Sequence, residues 1–275
     1  MDEQAIKSMN LYSQVDRIYS DLRAIGIADD GPLDVEMLTP FDQYHYFGTD
    51  AVDEAIAMAG ITADSRVLDV GSGLGGPARY LANATGCQVT ALELQEDLNE
   101  VAAKLTDRCG LSGNIDHVCG DVLAWEAPAE SHDQLMSYLA LYHIDDPTTL
   151  FATCATALKP GGRMYIEDLY GLGEFTDEEH SQLRHMLYGQ NMASRTQYIL
   201  DLQNAGFTNI AFTDMTVPWT GFCRERLEAY REARERHEAV HGRQVFKALD
   251  EFYATVLGLF EGGNMGGVRV TATKA

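Results

Sequence analysis

The glycine run Gly71-Ser72-Gly73-Leu74-Gly75-Gly76 constrains this 275-residue chain more than any other stretch. It directly follows a short apolar run, Val67-Leu68-Asp69-Val70. It precedes Ala78 to Ala84, which reads as a helix. Glycine lets the backbone take positive φ and lets a ligand approach the main chain closely. The helix start that follows offers N–H groups with no partner inside the helix. Taken alone, the same residues also fit a plain tight turn.

The flanking pattern narrows the choice. Gln88–Leu92, Ile115–Val118, Gln134–Tyr138 and Arg163–Glu167 read as strands, and Leu98–Leu105 and Thr148–Leu158 as helices. Lys159-Pro160-Gly161-Gly162 reads as a turn. Thr176–Gly206 reads as largely helical, Asn209–Phe212 as a strand, and Arg224–Phe260 as one or two helices. Val268–Thr273 alternates as a final strand. This order predicts an α/β fold: a mainly parallel sheet covered by helices on both faces, in three layers. Crossovers should be right-handed, with the ligand outside the carboxyl ends of the strands. Upstream, Leu11, Val15, Ile18 and Leu22 keep helical spacing within residues 1–25. Asp29-Asp30-Gly31-Pro32 breaks it. The aromatic stretch Phe41–Gly48 follows, and a second helical pattern, Val52 to Ala59, ends at Gly60. No internal repeat or long linker divides the chain, so one domain is expected.

Charge excludes some partners. There are 20 basic and 42 acidic residues, a formal net charge of −22. Nucleic acid demands clustered Lys and Arg, and an anionic membrane surface is disfavoured for the same reason. No run approaches the ~20 apolar residues of a membrane span. The charged, amphipathic start is unlike a signal peptide. Five cysteines, Cys87, Cys109, Cys119, Cys154 and Cys223, form no CxxC, which fits reduced thiols in a cytoplasmic protein. Asp145-Asp146 reads as a helix cap before Pro147, so no metal is expected. The mixed-sign run from Arg224 to Arg236 reads as a solvated face with i,i+4 pairs.

Two acids qualify the glycine loop. Glu93 ends the second strand, 22 residues after Gly71, where a carboxylate can take both hydroxyls of a ribose. Asp121, in Cys119-Gly120-Asp121-Val122 after the third strand, can accept from an adenine amino group. Gly71, Gly73 and Gly76 also satisfy G-x-G-x-x-G, so the loop alone leaves NAD open.

In order, VLDVGSGLGG, ALEL, GDV, ALYHIDD and LKPGGRMYIED cover roughly residues 61–168. This set resembles the S-adenosylmethionine-dependent methyltransferases of the Rossmann-like class. The resemblance implies a seven-stranded sheet with the last strand antiparallel, and S-adenosylmethionine as cofactor. It would place Asp69, Gly71 and Gly73 at the methionine part of the cofactor and Glu93 at the ribose. Leu94 would lie against the adenine, Asp121 and Val122 at its edge, and Leu139 beneath the methionine. Residues 1–60 would form an N-terminal helical lid and 61–168 the cofactor-binding core. Residues 169–265 would be substrate-side helices with strand six, and 266–275 the final strand. The ending LFEGGNMGGV is similar, more loosely, to sarcosine/dimethylglycine N-methyltransferases. The stretch around Gly48 is similar to that group's lid.

The expected reaction is in-line methyl transfer to a small molecule, first of all a small amine such as a glycine derivative. A thioether or natural-product hydroxyl as acceptor, an NAD-binding oxidoreductase and a non-catalytic cofactor-binding protein are the alternatives. His143, past the fourth strand, is the candidate base, with Tyr142 beside it; a hydrogen-bonded structural histidine is the plainer reading. His45 is a second, lid histidine. Tyr44, Tyr46 and Tyr170 fall near the expected mouth, where aromatic faces suit a methylated cation. Arg195 or Arg269 could hold a substrate carboxylate, and Glu167 and Asp168 a cationic group. Oligomeric state stays open, a homodimer included.

Overall fold

The computed structural model describes residues 9, 11, 12 and 14–275. The first eight residues of the amphipathic start, with residues 10 and 13, lie outside the described residues. The first helices among the described residues are α1 (Arg17–Ala24), α2 (Val35–Asp42) and α3 (Thr49–Ala59), the last ending at Gly60 in the left-handed conformation. Then β1 (Arg66–Val70), α4 (Gly76–Thr85), β2 (Gln88–Glu93), α5 (Glu96–Arg108), β3 (Ile115–Cys119) and β4 (His132–Tyr138) follow. A 3-10 turn (Leu141–His143) leads to α6 (Pro147–Ala157) and β5 (Leu158–Gly171). The remainder is α7 (Asp177–Gln182), a π-helical turn (Leu183–Leu187), α8 (Arg195–Asn204), β6 (Phe207–Asp214), α9 (Thr216–Glu232), α10 (Arg234–His241), α11 (Arg243–Gly262) and β7 (Met265–Lys274).

Among the described residues, seven strands form one sheet in the order β3-β2-β1-β4-β5-β7-β6. β1 to β5 pair in parallel, and β7 runs antiparallel between β5 and β6. The order reverses between β1 and β4, so a crevice opens at their carboxyl ends. Period-2 alternation divides the sheet's two faces. Leu68, Val70, Leu135, Met164 and Ile166 pack with α6 and α8. Val67, Met136 and Tyr165 pack with α3 and α4. A third apolar cluster joins Met9, Leu11 and Tyr46 to α9 and α11, roofing the carboxyl ends of the strands.

Three local expectations change. Lys159–Gly162 is a bulge within the β5 pairing, because Leu158 faces His132 and Arg163 already faces Gln134. Residues 188–194 leave the helical path: Tyr188 has φ +54, and the N–H groups of Gln190 and Asn191 donate to the Tyr142 carbonyl at 2.9 and 3.0 Å. The span 224–260 belongs to three helices, divided at Ala233 and at Gly242, whose φ is +83. Asp146 caps α6 as expected, accepting from the Thr149 N–H at 3.0 Å.

Candidate active site

The glycine loop turns because its glycines take conformations other residues resist. Gly71 has φ +74, and a Cβ there would lie 2.3 Å from the Ala140 Cβ. The N–H groups of Gly71 and Ser72 both donate to the Leu92 carbonyl, at 2.9 and 3.1 Å, so the loop folds over the end of β2. This brings Gly73 to Glu93. The Gly73 N–H donates to one Glu93 oxygen at 2.8 Å and the Gln95 N–H to the other at 2.9 Å. Burial pushes the Glu93 carboxyl upward, and these two N–H groups pull it back. Gly76 meets a different demand: a Cβ there would sit 2.3 Å from the Asp42 carbonyl oxygen.

Beside the loop lies a cleft of about 640 Å³. Gly71, Gly73 and Glu93 form one wall. Leu94, Asp121 and Val122 form another, and Leu139 and His143 line it as well. Asp121 is oriented by the Leu123 N–H at 2.9 Å. Leu139 has φ +51, a conformation that costs a non-glycine residue of order 1–3 kcal/mol and persists only where the surroundings enforce it. Its N–H donates to the Glu167 carbonyl at 2.7 Å. Asp69 does not reach the cleft surface. It is buried in β1 with one oxygen unpartnered, and burial, helped by the Glu93 charge, pushes it up to about 8.

His143 is held in one tautomer. Its Nδ1 lies 3.0 Å from the Tyr188 carbonyl, which only accepts, so Nδ1 carries the proton and Nε2 a bare lone pair. That Nε2 is buried and unpartnered, and burial pushes the imidazole down to about 4. Tyr142 packs on it, ring centroids 3.9 Å apart. The Tyr12 ring meets His143 edge-on at 6.3 Å and lines the cleft from the N-terminal segment. Through Tyr12 and Leu139 the cleft adjoins a second cavity, which Tyr44, Tyr46, Tyr142 and Arg226 line.

Several candidates lie elsewhere. Tyr170 lines neither cavity; its ring packs on Phe212 at 5.0 Å in the sheet's α6-facing core. The reason is strand phase: Leu169 points to the roof cluster, so its neighbour points away. Arg195 is exposed at the start of α8, over the Phe212 ring at 5.3 Å, also away from both cavities. Arg269 is spent on Glu167 at 2.9 Å and Glu54 at 3.3 Å. Asp168 accepts from the Tyr142 N–H and the Tyr198 hydroxyl, both at 3.2 Å. His45 Nε2 contacts the Gly48 carbonyl at 2.9 Å, and its ring packs on Tyr138 at 4.5 Å.

Sequence reasoning passed over Tyr12, Gln95 and Arg226. Arg226 sits in the mixed-sign run, where Arg224, Arg231 and Arg234 form exposed pairs with Glu261, Asp250 and Glu238. Arg226 instead turns inward over Tyr253 at 4.7 Å. Its signal was the aromatic spacing of the neighbouring helices, legible only once they are packed.

Residues 68–166 match the family described as Methyltransferase domain. Sterol 24-C-methyltransferase erg-4 of Neurospora crassa is 28% identical over 174 residues, 59% of this chain and 46% of that protein. Phosphoethanolamine N-methyltransferase 1 of Arabidopsis thaliana is 26% identical over 189 residues, 69% of this chain and 38% of that protein. Glycine/sarcosine/dimethylglycine N-methyltransferase of Actinopolyspora halophila is 30% identical over 156 residues, 57% of this chain and 28% of that protein. The chain therefore spans less than half the length of these relatives. Among solved structures, phosphoethanolamine N-methyltransferase 2 of Haemonchus contortus, in complex with phosphomonomethylethanolamine and S-adenosylhomocysteine, shares the fold. Its TM-score is 0.84 at 20% identity, covering 99% of this chain and 60% of that one. The cyclopropane synthase MmaA2 of Mycobacterium tuberculosis has a TM-score of 0.72 at 18% identity, covering 82% and 84%.

Proposed function

We propose, from the premise that residues 68–166 form a methyltransferase domain, that this chain methylates a small amine using S-adenosylmethionine. The observation that carries the reading is the Glu93 carboxylate. It is buried at the cleft wall and fixed by the Gly73 and Gln95 N–H groups, and each oxygen keeps a lone pair for one of two neighbouring hydroxyls. The cleft also fits the rest of such a cofactor. Leu94 and Val122 offer apolar walls for a purine, Asp121 an acceptor at its edge, and Gly71 a backbone open to close approach.

When bound, the cofactor supplies a methyl group on a sulfonium, open to in-line displacement. The chain's residues supply position and dryness. Tyr12 covers the cleft, and Leu139 forms the floor between cleft and neighbouring cavity. Tyr44, Tyr46 and Tyr142 present rings that stabilise a cationic amine by roughly 0.5–2 kcal/mol. His143 Nε2 accepts a hydrogen bond from the incoming nucleophile and so aims its lone pair. Its low basicity suits aiming better than holding a proton. An S- or O-acceptor would meet the same groups.

Calorimetry with S-adenosylhomocysteine and with NAD tests the reading. Micromolar binding of the first and none of the second is expected; saturable NAD binding alone would end the proposal. A methyl-transfer assay over amines, thioethers and phenols then assigns the acceptor, and inertness across that panel would favour a non-catalytic binding protein.

A further inference from the structure

Acidic residues outnumber basic ones by 42 to 20 in this chain. Yet, among the described residues, one cavity of about 770 Å³ gathers Arg17, Arg226, Arg236, His237 and His241 against a single carboxylate, Asp21. Asp21 is already engaged, with His241 Nε2 at 3.0 Å and Arg236 at 3.8 Å. Among the described residues, no carboxylate lies within ion-pair distance of Arg17 or Arg226. Arg17 donates to the Tyr44 hydroxyl at 3.4 Å and lies over its ring at 5.8 Å. Arg226 lies over Tyr253 at 4.7 Å and Tyr46 at 5.0 Å, and its Nε is buried with no acceptor. The exposed arginines of the same helical region do find carboxylates. The inward pair is therefore set apart from the surface pattern.

We propose that this cavity binds an oxyanion of the substrate, a carboxylate or a phosphate, with Arg226 and Arg17 as its anchors. Guanidinium forks match both anions in a bidentate geometry. Two like charges brought to one aromatic-walled cavity repel each other, and a bound anion turns that field into attraction. Location links the anion to the reaction. Leu11, Tyr44 and Arg226 line both this cavity and the tyrosine-walled one, and Tyr12 and Leu139 continue from there into the cleft. A molecule anchored at Arg226 thus extends its other end past the tyrosines toward the Glu93 cleft. The acceptor is then an amine that carries an acid, which deepens the methyl-transfer reading and rests on it.

The test titrates inorganic phosphate and acetate into the protein saturated with S-adenosylhomocysteine. Arg226→Gln and Arg17→Gln should each weaken anion binding at least tenfold, with S-adenosylhomocysteine affinity and thermal midpoint kept. Preference for phosphate assigns a phosphorylated amine, and preference for acetate an amino acid. Should a variant fail to fold, phenylglyoxal labelling of the wild type gives the same reading: phosphate or acetate protects Arg17 and Arg226 from modification. No anion binding, or binding equal in the wild type and variants, overturns the proposal. Wild-type protein that binds phosphate but not S-adenosylhomocysteine overturns the methyl-transfer reading and the anion's assignment to a substrate. The anion site itself would then stand alone.

Discussion

Arg79 and Asp42 form an ion pair of 2.9 Å in which neither side chain touches solvent. The guanidinium also donates to the Leu74 carbonyl at 2.6 Å, inside the glycine loop, and to the Ala102 carbonyl at 3.2 Å. One buried arginine therefore ties α2, the loop and α5 together, and the N-terminal segment is fastened to the cofactor cleft. Removing one partner strands a buried charge, at a cost of about 3–5 kcal/mol. Asp42→Ala should lose that much in urea denaturation, and the double change Asp42→Leu with Arg79→Met should recover most of it. A loss below 1 kcal/mol for the single variant would show that the pair is dispensable.

Glu93→Ala should weaken S-adenosylhomocysteine binding by about 1–3 kcal/mol, the range for a lost hydrogen bond to a charged group. Titration calorimetry reads this directly. Unchanged affinity would remove the ribose role on which the functional reading depends.

Gly71→Ala forces a Cβ against Ala140, 2.3 Å away, at φ +74. The conformation costs about 1–2 kcal/mol and the overlap about 1–3 kcal/mol. Cofactor binding and stability should both fall. Adding Ala140→Gly should restore the overlap part and leave the conformational part, and denaturation of the two variants separates them.

Asp69 couples stability to pH. An ordinary aspartate titrates near 4, whereas burial pushes Asp69 up to about 8. Between those values the unfolded chain has released the proton and the folded protein keeps it. Stability therefore falls as pH rises through that window, with a slope of about 1.4 kcal/mol per pH unit. Asp69→Asn should lack this component, gaining on the wild type between pH 5 and pH 8 in denaturant titrations. A constant difference across that range would contradict the buried, protonated state.

His143→Gln should lower turnover by about 10²-fold, at the low end for a group acting on the reacting atoms, with S-adenosylhomocysteine affinity unchanged. Because burial holds the imidazole down to about 4, wild-type turnover should show no limb near pH 6.5. The acid limb should sit near 4, where Nε2 takes a proton and its lone pair is lost. A limb at 6.5 that disappears in the variant would mean that His143 is hydrated and more basic than its burial implies.

The wall proposed for the cofactor was legible along the chain as geometry, because its parts are local. The turn from β1 into α4 and the acid at the end of β2 are set by backbone geometry, over 22 residues. Parallel pairing of β1 with β2 brings Glu93 to Gly73 without help from distant elements. The neighbouring aromatic cavities were not. Alternation along β5 shows that Leu169 and Tyr170 face opposite ways, but not which of them faces the mouth, so Tyr170 was misplaced. Arg226 reads like its exposed neighbours until α9 and α11 pack around it.

The antiparallel last strand came from the family resemblance, whereas the order of apolar runs, glycines and acids was enough to place the α/β sheet and the Gly73–Glu93 corner. Such features follow from hydrogen bonding and steric limits acting over a few tens of residues. It took the packing of distant elements to bring Tyr12 to the cleft, Asp42 to Arg79, and Arg17 and Arg226 to one cavity. Those contacts join segments 37 to over 200 positions apart, and packing of whole elements, not local preference, selects them.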